Sequence, residues 1–97
     1  MEKKTNKYRL TLQLLQQASG ENVPNKQLEL TFDNHDEIFS IIERLQNKDP
    51  FNNKLQAVEF ALGLKLFSEV MIKNRKHRLF EELNTVFPTF MKKLKGL

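Results

Sequence analysis

From Tyr8 to Leu14 the chain alternates one apolar residue with one polar residue. Tyr8, Leu10, Leu12 and Leu14 fall on one side, and Arg9, Thr11 and Gln13 on the other. A second run repeats the pattern, with Leu28, Leu30 and Phe32 set against Gln27, Glu29, Thr31 and Asp33. Successive side chains of a strand point to opposite faces, so the two runs predict half-buried strands over about 7–16 and 26–33. Between them, residues 18–25 include Gly20, Asn22, Pro24 and Asn25. A connection of that length, rich in turn formers, suits an antiparallel hairpin and not a crossover. Residues 1–6 are polar and charged and are expected to be flexible.

The period then changes from two to that of a helix. Asn34 is placed to cap free amides, with Glu37 three residues on to reach back as in a capping box. Asp36 and Glu37 bring negative charge to the positive helix end. Ile38, Ile41, Ile42 and Leu45 form the apolar stripe of a first helix over about 35–47, which Asp49-Pro50 ends. Asn52 or Asn53 is positioned to cap a second, longest helix over about 53–75. On it Ala57, Phe60, Ala61, Leu64, Phe67, Ser68 and Met71 share one broad face. Gly63 sits mid-helix at a cost of about 1 kcal/mol relative to Ala, which predicts a compensating close contact there.

The opposite side of this helix carries Val58, Leu62, Leu66 and Val70, where a surface helix would be polar. A helix apolar nearly all round is buried on several sides, so this one is expected at the centre of the fold. From Leu79 to Leu94 a helical period resumes, and Pro88 interrupts it by removing one amide. The pattern predicts two short helices, about 78–84 and 86–95. The expected architecture is therefore α+β, one domain over 1–97: an antiparallel two-stranded hairpin followed by three or four helices with a long central second helix.

A two-stranded hairpin is marginal alone in water, so helices are expected to cover its apolar face. Its two open edges invite a neighbour, and pairing of two copies edge to edge would give a two-fold, four-stranded sheet. Val58, Leu62, Leu66 and Val70 offer a second candidate interface. A homodimer is the expected assembly, by one route or the other.

Composition narrows the function classes. The 97 residues contain no Cys, which excludes disulfide scaffolds, thiolate metal sites and cysteine nucleophiles. Apolar runs are only a few residues long, so neither a membrane span nor a signal-peptide core is expected, and a cytoplasmic location is. The net charge of +4 is uneven: residues 1–49 hold seven Lys/Arg and eight Asp/Glu, and residues 50–97 hold nine and four. The excess lies in Lys73, Arg75, Lys76 and Arg78, and in Lys92, Lys93 and Lys95. Such clusters suit anion or nucleic-acid binding. They equally suit the last turns of helices, where cations complement the macrodipole. The second reading is favoured, because Glu81 and Glu82 follow the first cluster at once and dilute its field.

Catalytic and metal constellations are sparse. His35, Asp36 and Glu37 are consecutive, and consecutive helical side chains diverge by about 100°, so they do not converge on one ion. His77 sits among Arg75, Lys76 and Arg78, a setting that disfavours cations, with no nucleophile or orienting carboxylate beside it in sequence. Gly20, Gly63 and Gly96 are isolated and form no phosphate-cradling loop. No cofactor, metal site or catalytic residue is assigned.

Two stretches carry a resemblance: Phe32-Asp33-Asn34-His35-Asp36-Glu37-Ile38, and the run from Phe60 through Phe67-Ser68-Glu69-Val70-Met71 to Ile72-Lys73-Asn74-Arg75-Lys76-His77, with Leu79-Phe80-Glu81-Glu82-Leu83 after it. Together they resemble a family of small bacterial proteins catalogued as a domain of unknown function, over essentially the whole chain from about Tyr8. Arg78 stands where that family's pattern would have Pro. The resemblance implies a bacterial, cytoplasmic α+β domain and supplies no activity. The leading expectation is a non-enzymatic, self-associating interaction module with a possible protein partner. The alternatives are an anion or nucleic-acid binder using Lys73, Arg75, Lys76 and Arg78, and an enzyme using His35 or His77 in a pocket across a dimer.

Overall fold

Both alternating runs form strands in the computed structural model, which describes residues 4–21 and 26–97. Strand β1 (Asn6–Gln13) pairs antiparallel with β2 (Gln27–Asn34), and the sheet has these two strands among the described residues. The architecture is α+β: this hairpin, then three helices with a long second one. The described chain divides into two compact units, Met1–Asp36 and Glu37–Leu97. Of the stretch expected to be flexible, Asn6 already belongs to β1, and residues 1–3 lie outside the described residues, as do loop residues 22–25.

In the first unit the register sets Tyr8 opposite Phe32, Leu10 opposite Leu30 and Leu12 opposite Leu28. Those pairs make one apolar face. The other face holds Lys7 opposite Asp33 and Thr11 opposite Glu29, with Arg9 Nε 2.8 Å from Glu29 Oε1. Past β1, the Leu14 amide still donates to the Lys26 carbonyl at 3.0 Å. At the other end Asn6 Nδ2 donates to the carbonyls of Asn34 (3.4 Å) and His35 (3.3 Å), and the Tyr8 hydroxyl donates to the Asp36 carbonyl (2.9 Å). The Tyr8 and Phe32 rings stack at 5.3 Å.

Asn34 does not cap the first helix. It closes β2 as a buried residue, and its Oδ1 accepts from the Asp36 amide two residues on, at 2.9 Å. That local Asx turn belongs to the end of the strand, four residues ahead of the first helical residue. Helix α1 therefore starts at Ile38 and not at 35, running Ile38–Lys48, and Glu37 caps it by accepting from the Ser40 amide at 2.6 Å.

In the second unit α1 packs on α2 (Lys54–Lys73). Asn53 is the α2 cap, its Oδ1 accepting from the amides of Leu55 (3.0 Å) and Gln56 (3.1 Å). The other candidate, Asn52, takes a left-handed backbone. Asp49 does too, at φ 48°, and its amide closes α1 on the Leu45 carbonyl at 2.9 Å. Ala57 and Ala61 are fully buried beside Leu45, with Ile41, Ile42, Phe60 and Leu94 packed around them. Small side chains at this point let two helix axes come close. Leu64, Ser68 and Met71 continue the same buried face, while Phe67 is exposed and meets the Phe80 ring edge-on at 6.1 Å. Asn74 stops α2 two residues before the expected end, its Nδ2 donating back to the Val70 carbonyl at 2.8 Å.

Two expectations fail here. The space around Gly63 is open, with nothing within 4 Å of where a Cβ would stand, so no close contact offsets that glycine. The C-terminal region is also not split near residue 85. Residues Arg78–Phe80 form a single 3-10 turn and α3 runs unbroken over Glu81–Lys95 with Pro88 inside it. Proline costs its helix one hydrogen bond and crowds the carbonyl four residues back, here that of Asn84. The period of Leu83, Phe87, Phe90 and Leu94 runs through Pro88, and one continuous helix keeps these residues on one side. Asn84 Nδ2 meanwhile donates to the Arg75 carbonyl at 2.8 Å, tying α3 to the turn after α2.

Candidate interaction surfaces

Of the stripe proposed on α2, Val58, Leu62 and Leu66 are half-buried, and Val70 is exposed at 53%. Opposite-charge neighbours flank it, Lys73 Nζ lying 3.9 Å from Glu69 Oε1. An ion pair this long on an exposed lysine contributes little. The stripe is thus partly covered, and it does not form one bare apolar surface.

The cluster Lys73, Arg75, Lys76 and Arg78 occupies the end of α2 and the turn that leads to α3, and all four residues are exposed. Its backbone is tied locally. His77 Nδ1 accepts from the Leu79 amide at 3.0 Å and so caps the 3-10 turn, and the His77 ring meets Phe80 at 6.3 Å. That gives His77 a structural task, helping to fix the turn on which the cations sit. Lys92, Lys93 and Lys95 lie in the last turn of α3, where cations face the negative helix end. The two basic groups belong to different helix ends.

At the start of α1 the Ser40 hydroxyl and the Ser40 amide hold the Glu37 carboxyl below its ordinary value of 4.5. Glu37 is thereby committed to capping. Its neighbours do not gather with it into a site: no group of three or more His, Asp or Glu side chains able to hold a metal occurs among the described residues. No helix among them is long and apolar enough to cross a membrane.

The least expected surface is on the hairpin. Exposure along its apolar face is uneven. Tyr8, Leu10 and Phe32, toward the Asn6/Asn34 end, are half-buried. Toward the loop the exposure rises to 44% at Leu30, 61% at Leu28 and 66% at Leu12. Leu14 and Lys26 stand opposite one another just beyond, and with Leu12 and Leu28 they line a shallow hollow. Alternation identifies which side of a strand is apolar, and it carries no information about what lies against that side.

The model of a family described as a domain of unknown function, DUF3861, matches residues 6–96. A crystal structure of a protein of unknown function from Pectobacterium atrosepticum is similar over 97% of this chain and 100% of its own, with 33% sequence identity and a TM-score of 0.84. No curated protein matches.

Proposed function

Because this chain belongs to the DUF3861 family, whose description names no activity, we propose from its own surfaces that it is a small self-associating interaction module. It acts as a homodimer in the bacterial cytoplasm and without catalysis of its own. The observation that carries this reading is the amount of large apolar side chain left open to water. Leu12, Leu28 and Leu30 share one ladder of the hairpin, Val86 and Phe90 lie one turn apart on α3, and all five are exposed. Single exposed apolar residues are ordinary, whereas runs of them on one ladder or one helix mark contact surfaces.

Sedimentation equilibrium at high micromolar concentration tests the reading, with a mass of twice 11.5 kDa expected. A mass of 11.5 kDa throughout would reject it. The basic cluster around Lys73 and Arg75 supplies the rival reading. Retention of nucleic acid on filters at low salt, falling steeply as salt rises, would favour a polyanion binder instead.

A further inference from the structure

We propose that the turn joining α2 to α3 docks an acidic segment of a partner protein, one that sets carboxylates around an apolar side chain. The inference rests on the interaction-module reading and deepens it, naming a partner besides the second copy.

The surplus of positive charge has one location. The unit Met1–Asp36 holds five Lys/Arg and five Asp/Glu, whereas Glu37–Leu97 holds eleven and seven. Within the second unit Lys73, Arg75, Lys76 and Arg78 place four cations in six positions that contain no carboxylate. Helix polarity accounts for one of the four. Helix α2 ends at Lys73, so Arg75, Lys76 and Arg78 lie past its last turn, where the macrodipole has fallen away. Its closing carbonyls are already served. The Asn74 amide donates to Val70 and Met71, and Asn74 Nδ2 donates to Val70 at 2.8 Å. Glu81 and Glu82 stand in the first turn of α3 and leave the cluster unneutralised, for none of Arg75, Lys76 and Arg78 is in an ion pair among the described residues. Like charges this close repel one another, and a matching set of carboxylates relieves the repulsion.

The backbone beneath these cations is held in shape. The His77 amide donates to the Asn74 carbonyl at 2.9 Å and the Phe80 amide to the His77 carbonyl at 3.1 Å. The bonds of the Leu79 amide to His77 Nδ1 and of Asn84 to the Arg75 carbonyl fix the same segment, and buried Phe80 anchors its far end. A backbone ordered before binding loses little freedom on docking. Each guanidinium also presents a planar fork that meets a carboxylate with two hydrogen bonds.

The borders of the patch favour a protein segment over other polyanions. Glu69 precedes the cluster and Glu81 and Glu82 follow it, so the positive stretch is short. A DNA duplex, with one charge per about 1.7 Å of its axis, continues past such a stretch, whereas a short acidic segment ends with it. Leu79 adds the second reason. It is 72% exposed directly beside Arg78. A phosphate backbone offers Leu79 nothing to bury against, and an apolar side chain among carboxylates does.

Fluorescence anisotropy of the full chain tests this, with a labelled peptide of Asp and Glu around a central Leu and the same peptide with a central Ser. Binding that weakens as salt rises is expected. Arg75→Gln/Arg78→Gln should weaken it on the order of 10-fold. Lys92→Gln/Lys93→Gln removes equal charge from the other basic group and should leave binding within about twofold. Leu79→Ser should weaken the leucine peptide and spare the serine one. All these positions are exposed apart from the helical period they share, and circular dichroism checks that each variant keeps the fold. Absence of binding overturns the proposal, as does an equal loss in the two charge variants, which reduces the attraction to net charge. Tighter binding of a single-stranded oligonucleotide, lost with Arg75 and Arg78 and indifferent to Leu79→Ser, overturns it in favour of a phosphate backbone. Binding to phosphatidylglycerol vesicles in preference to the peptide overturns it in favour of a lipid surface. Sedimentation of the wild type reads self-association separately. A dimer that ignores the peptide fails this proposal alone, and a monomer that binds it fails only self-association.

Discussion

Gly63 isolates one energetic contribution. It lies well inside α2, on the exposed side of the helix, and a Cβ added there meets nothing within 4 Å. Gly63→Ala therefore adds no overlap that would have to be subtracted. What remains is backbone freedom: glycine loses more of it on folding, and alanine is favoured mid-helix by about 0.5–1 kcal/mol. Part of that gain arises in the unfolded chain, which alanine restricts. For a domain of this size 1 kcal/mol corresponds to about 4–8 °C in Tm. Thermal and urea unfolding followed by far-ultraviolet circular dichroism measure it, at a fixed protein concentration because association itself raises apparent stability. A rise of a few degrees is expected. A fall would refute the reasoning, and a fall that grows with protein concentration would place a second copy against Gly63.

Other expectations follow from the core and the caps. Leu64 is buried on the inner face of α2, so Leu64→Ala should cost about 2–5 kcal/mol; a loss under about 1 kcal/mol in urea unfolding would contradict that placement. Asn53→Ala removes the acceptor for two amides of α2 and should cost about 1 kcal/mol, with Asn53→Ser restoring most of it; equal melting of all three proteins would remove the cap from the account. The Glu37 carboxyl is held below 4.5 in the folded chain, so its contribution is complete above the unfolded value and disappears as the pH falls through the folded one. The stability gap between wild type and Glu37→Gln should accordingly narrow on acidification below 4.5, and a gap that stays constant would count against the carboxylate cap.

The hairpin, the long second helix and its buried face were legible in the residues because each is a matter of period. Tyr8/Leu10/Leu12 repeats every two positions, and Ala57/Ala61/Leu64/Ser68 keeps to one side of a helical wheel. Short-range competition was harder to read. Asn34 has the chemistry of a cap, with Glu37 at the reach-back position, and the nearer amide, that of Asp36, captures Asn34 before the helix begins. The cost of Pro88 is local, and the helical period of Leu83, Phe87, Phe90 and Leu94 runs through it. A similar local logic assigns His77, whose Nδ1 is used by the Leu79 amide two residues away, a relation the spacing permits and does not announce. The exposure of Leu12 and Leu28 was beyond the sequence for a different reason. Alternation identifies which side of a strand is apolar, and no periodicity encodes how far water reaches that side.

Self-association is tested most directly by isotope-filtered NMR on a mixture of labelled and unlabelled chains. Intermolecular contacts between methyl groups of the two copies are the expected result. Their complete absence at high micromolar concentration would contradict it.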